Sequence, residues 1–301
     1  MQSKTSTPNQ IHQIQRVTLF GLAVNLLLSG IKFIFGLFGN SQALVADAVH
    51  SLSDSTTDLA VLIGAPYWAA PADADHPYGH NRIETMITLL IGAVLFAVGL
   101  GLIYNALATL QESHTLPPAW SVFATACFSI ISKELLYRWT VKVGRSARSS
   151  ALIANAWHHR SDGLSSLPVA IAVVGMRVRP DWIFLDHVAT LFVSLFILQA
   201  SWKILWPALK QLTDTGASQE EQEKFASLAQ GIDGVRAVHA LRTRRIGSSL
   251  QIDMHVLVDP ELSVQEGHNI ACSVEDRLLS EGRDIIDILV HVEPYIYISK
   301  K

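Results

Sequence analysis

ALVADAVHSLSD (residues 43–54) and NAWHHRSDGLSS (residues 155–166) decide how this chain is read. Each carries a His-x-x-x-Asp pair, His50 with Asp54 and His158 with Asp162, inside a long apolar stretch. An ionisable group at membrane depth is costly and is normally kept for function. A spacing of four puts both side chains of a pair on one helix face. Two such faces turned toward each other offer two imidazoles and two carboxylates, a closed ligand set for a divalent transition metal. One such pair alone would favour a hydrogen-bonded polar cluster that joins helices. Two copies favour metal.

Around these pairs the chain reads as an α-helical membrane protein. Half of its 301 residues are hydrophobic and only 16% are charged, against roughly 25% charged in ordinary soluble domains. A span needs about twenty apolar residues. Six are expected, at about 14–38, 42–69, 82–108, 118–142, 150–176 and 184–206. Residues 1–13 are polar and lack a small-residue cleavage site, so the first helix is expected to stay in the mature protein. The division is therefore an N-terminal tail at 1–13, a membrane domain at 14–211 and a charged tail at 212–301.

Charge sets the orientation. Lys4, Arg16, Arg82, Lys142, Arg145 and Arg148 flank one set of span ends, and the loops near 39–42 and 110–117 have no Lys or Arg. The positive-inside bias puts both termini in the cytoplasm of a multi-pass inner (plasma) membrane protein, with Arg177 and Arg179 as an exception. Asp54 and Asp162 then lie twelve residues into their spans from opposite faces. At 1.5 Å per residue each is about 18 Å deep, which brings both near the midplane. Of the other polar groups in the spans, Asp47 is expected to line an approach or cap the helix entry, and Asp58 to line the inner vestibule. Lys32, Lys133 and Glu134 are expected to pack, make dimer contacts or snorkel. His159 and Arg160 should point away from the site.

The tail reads α-β-β-α-β. A helix is expected over 218–231, strands over 236–246 and 249–258 with a hairpin at Gly247-Ser248, and a final strand over 284–293. Ser263 and Glu266 form a capping box for a helix to about 281. Such a pattern makes a small two-layer α+β domain.

Two further groups of donors stand out. Asp73, His76 and His80 crowd the loop after the second span, where they could hold an ion or feed the pore. There Pro77 and Gly79 could equally shape a plain turn. The tail holds His239, His255, His268 and His291, with Glu293 beside the last. Eight of the twelve histidines fall in these groups and the central pairs, more than scattered placement would give. Arg82 and Asp214 should lie at one membrane face, where an ion pair between them is geometrically reasonable.

The motifs ALVADAVHSLSD, DHPYGHNRIE (75–84), SKELLYRWT (132–140) and NAWHHRSDGLSS resemble the cation diffusion facilitator family of metal/proton antiporters over nearly the whole length. The resemblance implies six spans, a ferredoxin-like cytoplasmic domain and a homodimer. It implies that His50, Asp54, His158 and Asp162 form the transport site, with alternating access and proton exchange. It supports metal binding at the loop, and it matches His239, His255, His268, His291 and Glu293 to positions that bind metal at the dimer interface of the cytoplasmic domain. The chain departs from some members at 291–293, where it reads His-Val-Glu without a polar residue in the middle.

The expected function is proton-coupled export of a divalent cation. Two nitrogens and two oxygens in a tetrahedron suit zinc. Iron(II), manganese, cobalt, nickel and cadmium stay open, and the lack of thiolates argues against copper(I). A metallohydrolase would need an open coordination position and a motif such as H-E-x-x-H, which is absent, as is any G-x-x-x-x-G-K-[ST] for ATP. A metal sensor that does not transport would have no use for a mid-membrane site. The net charge of −3 gives no reason to expect nucleic acid. The expected partners are a second copy of the chain, divalent metal ions, protons and the lipid bilayer.

Overall fold

A computed structural model describes residues 8–110, 118–146, 150–247, 249–282 and 284–296. The Asp58 side chain and residues 111–117 lie outside the described residues. The backbone forms two compact units, one of residues 1–63 and 90–204, the other of residues 64–89 and 205–301.

The first unit is helical. It takes in α1 (Pro8–Phe38), most of α2 (Gln42–Trp68) and α3 (Arg82–Ala108), α4 (Trp120–Ser146), α5 (Ser150–Ser165), α6 (Leu167–Val178) and most of α7 (Phe184–Leu212). Among the described residues, Arg16–Phe38, Arg82–Ala108, Asn155–Val178 and Phe184–Leu212 are long and apolar enough to cross a membrane. Helices α2 and α4 have 27 residues each, about 40 Å at 1.5 Å per residue. Their length suits a span, but His50, Asp54, Lys133, Glu134 and Arg138 make them too polar to stand out by hydropathy. Six spans are consistent with this set.

Small side chains make the packing possible. Ala43, Ala46, Ala126, Ala170, Ala172 and Ala189 surround Val122, Val169, Val173 and Met176 in the core of this unit. Without a hydrophobic drive between helices in lipid, close backbone approach is what holds them. The outward faces carry Leu19, Leu27, Phe33, Leu90, Phe128 and Phe192, all exposed. An apolar exterior over a core with buried polar groups suits a bilayer as solvent.

The fifth expected span is not one helix. It breaks at Ser166 between α5 and α6, with Pro168 in the first turn of α6. Proline donates no N–H and its ring clashes with the carbonyl four residues back, so a continuous helix over 150–176 fails there. The hydroxyls freed at the break meet Asp47 of α2: Ser166 Oγ donates to Oδ2 at 2.6 Å and Ser165 Oγ lies 3.0 Å from Oδ1. Lys32 Nζ of α1 pairs with the same carboxylate at 2.9 Å, and both side chains are fully buried. Asp47 therefore neither lines an approach nor caps its own helix. It ties α1 and α2 to the break beyond α5. The cap at the start of α2 comes from Asp186 of α7, which accepts from Ser41 Oγ at 2.6 Å and the Gln42 amide at 2.7 Å.

The second unit holds the tail. Strands β1 (Ala237–Ile246), β2 (Ser249–Val258) and β3 (Ile285–Pro294) form one sheet in the order β1-β2-β3, with β1/β2 antiparallel and β2/β3 parallel. The expected strands match within a residue. Helices α8 (Gln219–Gln230) and α9 (Val264–Glu281) cover one face. Both start in capping boxes, Ser218 with Glu221 and Ser263 with Glu266. Phe225, Ile252, Met254, Val256, Val274 and Leu278 fill the layer between. Gly247, at φ +61°, turns the hairpin, and its amide donates to Thr85 Oγ1 of α3 at 3.3 Å. A Cβ at that position would lie 2.5 Å from Glu84 Oε2, so the close approach requires glycine.

Candidate metal centres

The central donors sit on α2 and α5, one helical turn apart within each pair. Ligand atoms of Asp54, His158 and Asp162 all lie within 4.8 Å of one another. His158 Nδ1 is 3.5 Å from Asp162 Oδ1, and His50 Nε2 is 4.0 Å from Asp54 Oδ2. His50 thus stands beside the three-donor group, one step outside it. Its Nδ1 is buried with no hydrogen-bond partner among the described residues. Such an orphan is rare without a ligand, water or ion to satisfy it. A cavity of about 480 Å³ runs along these side chains, with Ser53, Phe196 and Lys203 also in its wall. Asp162 is 3% exposed while His158 is 53% exposed, so the donors link the interior to the open side of the cavity.

Lys133 does not snorkel. Its side chain is fully buried on α4, and Nζ pairs with Asp162 Oδ2 at 2.9 Å. The adjacent Glu134 faces outward to Arg138 and Arg160, at 2.8 and 3.2 Å. Position 133 falls on the buried α4 face with Ser129 and Leu136, a periodicity that the sequence carries. The identity of its partner is a tertiary fact that no spacing reveals. Lys32 likewise belongs to a buried pair, as described above. His159 is buried and turned to Asn155, 3.4 Å away, and lies outside the cluster, as expected.

In the loop, Asp73 stands between two imidazoles: Oδ1 is 3.3 Å from His76 Nδ1, and Oδ2 is 3.4 Å from His80 Nε2. Asp73 Oδ1 also accepts the backbone amides of His76 at 2.6 Å and Asp75 at 3.0 Å. The bond from the His76 amide is the chief reason the Asp73 carboxyl is held below its ordinary range, with the His76 side chain and the Asp75 amide adding to it. Gly79 takes φ +79°. The turn and the donor cluster are one structure: the turn is what brings His76 and His80 to the same carboxylate.

The tail cluster is built by register. His239 on β1 stands opposite His255 on β2, which in turn stands beside His291 on β3. Alternation brings Glu293 to the same face two residues after His291. Glu293 Oε2 is 2.9 Å from His239 Nε2; Oε1 is 2.8 Å from His255 Nδ1 and 3.5 Å from His291 Nε2. The contacts to His239, foremost, and to His255 hold the Glu293 carboxyl below its ordinary range. Val292 packs against the tail core, which explains the His-Val-Glu pattern: the middle residue points away from the cluster.

His268 lies on α9, where its Nε2 faces Cys272 Sγ at 3.6 Å; it lines a pocket with Glu293 but is not one of the donors that meet within 4.8 Å in the single chain. Arg82 Nη2 does meet Asp214 Oδ1, at 3.4 Å, with both side chains more than half exposed.

Comparison with known proteins fits this arrangement. Residues 18–213 match the cation efflux transmembrane domain, and residues 217–295 match the cytoplasmic domain of cation efflux proteins. The chain is 30% identical to the manganese efflux system protein MneP of Bacillus subtilis, over 93% of this chain and 96% of that one. It is 32% identical to metal tolerance protein C1 of Arabidopsis thaliana, over 93% and 62%. With magnetosome protein MamM of Paramagnetospirillum magneticum the identity is 31%, over 91% and 86%.

Proposed function

Since the chain belongs to the cation efflux family, whose members are metal transporters and not enzymes, we propose that it exports zinc from the cytoplasm in exchange for protons. It works as a homodimer in the inner membrane, with both termini inside. The observation that carries this reading is the convergence of Asp54, His158 and Asp162 from two helices, with His50 one step away.

The mechanism follows from the donors. Imidazole and carboxylate bind a divalent cation only through lone pairs that a proton also takes. A site that opens alternately to each side therefore trades one for the other. His50 Nε2 already stands 4.0 Å from Asp54 Oδ2, and its approach to the other donors would complete an N2O2 tetrahedron, the geometry zinc favours. Movement of α2 against α5 is a direct way to make and unmake that fourth bond. The break after α5, held by Asp47, gives the outer part of the path a joint.

Asp73, His76 and His80 form a loop site that collects cations. His239, His255, His291 and Glu293 form a site in the cytoplasmic domain, where their convergence on one face suits a metal that would stiffen the sheet. Manganese is the second reading for the cargo, because the relative MneP is named as a manganese efflux protein. A flux assay in proteoliposomes with zinc and manganese in competition tests both. Zinc uptake that manganese does not reduce supports the first reading, and preferred manganese uptake replaces it with the second.

A further inference from the structure

A buried lysine beside a cation site is unexpected, because its charge opposes that of the cargo. Lys133 Nζ lies 2.9 Å from Asp162 Oδ2, while the other oxygen of the same carboxylate faces His158. The stem of Lys133 is clamped where α4 and α5 meet: a Cβ on Gly163 would lie 2.9 Å from the Lys133 Cβ. Glycine at 163 lets the two backbones close, and the closure aims the ammonium at the residue preceding it. Lys32, the other buried lysine, is held by Asp47 and Ser51 instead.

Building on the proposed transport site, we propose that Lys133 sets the affinity and the coordination of that site. It occupies Asp162 Oδ2 and leaves Oδ1 for the cargo. Asp162 then binds through one oxygen, which suits four-coordinate zinc and disfavours larger cations that seek bidentate carboxylates and more ligands. The fixed ammonium also changes the charge balance. Asp54, Asp162 and Lys133 together carry one net negative charge without metal, a divalent cation turns that trio to one net positive, and Lys203 in the cavity wall adds positive charge on the same side of the balance. At a separation of a few ångströms in a partly buried site this repulsion is large. It keeps the cation from being trapped and so favours release. Lys133 is a positioning residue: it acts through Asp162 rather than on the cargo.

The test measures zinc binding and zinc flux of the full-length protein in lipid nanodiscs and proteoliposomes, taking the binding component that Asp162→Ala removes. Lys133→Gln keeps a hydrogen bond to Oδ2 and drops the charge, Lys133→Met drops both, and Lys133→Arg keeps the charge. Both neutral variants should bind zinc about tenfold or more tightly, with slower maximal flux and a raised share of cadmium transported. Lys133→Arg should stay within about threefold of the parent in affinity. Unchanged or weaker zinc binding in whichever neutral variant folds as a dimer overturns the proposal. So does an arginine variant that shifts as far as the neutral ones, since packing would then be the cause. A full zinc isotherm in Asp162→Ala overturns the transport site itself, a separate failure.

Discussion

The cluster on α2 and α5 and the cluster on the tail sheet use the same side chains and differ in everything around them. In the first, Asp162 is almost fully buried and shared between His158 and an ammonium. In the second, Glu293 is a third exposed and bonded to imidazoles. The first is spaced by helical turns on two separate helices, the second by register across one hydrogen-bonded sheet. A site assembled from separate helices changes when they move. A site assembled within a sheet keeps its geometry as long as the sheet is paired. That contrast suits a cargo that must be let go at one site and a metal that stays at the other.

The contrast breaks first on stability. Asp162→Ala strands Lys133 in the interior, and losing one partner of a buried pair costs about 3–5 kcal/mol. Glu293→Ala removes a part-exposed carboxylate and should cost the metal-free fold much less. Thermal unfolding of both variants without metal should show a large fall for the first and little for the second. Equal falls would mean that the buried pair carries no special weight. Asp54→Asn keeps the side chain's size and removes only its charge, so it is the cleaner variant for function.

Metal binding by the tail should depend most on His255, which stands between His239 and His291 in the sheet. Calorimetry should show His255→Ala weakening that binding roughly 10–100-fold, the scale on which site geometry affects metal affinity. His268→Ala should leave it unchanged, and loss of binding there would restore that residue to the site.

Acid should act on the two clusters differently. Glu293 has its carboxyl held below the ordinary range by His239 and His255. A depressed carboxylate stabilises the fold above the unfolded value, near pH 4.3, and loses that contribution as pH falls through the lower folded value. Glu293→Gln should therefore flatten the acid limb of the tail's stability profile below about pH 4.3, read by tail fluorescence or hydrogen exchange. An acid limb that is unchanged would remove Glu293 as a contributor.

The smallest effect belongs to Arg82 and Asp214. Both are more than half exposed at 3.4 Å, so a double-mutant cycle with alanines should give a coupling of about 0–1 kcal/mol. A coupling of several kcal/mol would mean that the pair is shielded from solvent in the working protein.

The tail was the most legible part of the sequence because its signals are local. SLQIDMHVLV alternates on a period of two, Gly247 marks the turn, and Ser263 with Glu266 writes the cap of α9. At 218–231 the helix was expected, and its Ser218–Glu221 box came from the structure. The His-x-x-x-Asp pairs were legible because helical spacing fixes one face. What could not be seen depends on which helices touch. Lys32 and Lys133 are single lysines in apolar runs, and only packing shows that one meets Asp47 and the other Asp162. The fifth span was expected to run unbroken over 150–176, and the break at Ser166 before Pro168 is local chemistry that a hydropathy reading passes over.

The central claim is that the donors on α2 and α5 carry the cargo. Proteoliposomes holding a zinc reporter and a pH reporter test it most directly, with the parent protein and dimeric Asp54→Asn side by side. The account predicts zinc influx with opposing proton movement for the parent, and the leak of empty vesicles on both channels for the variant. Parental zinc flux through Asp54→Asn would contradict it.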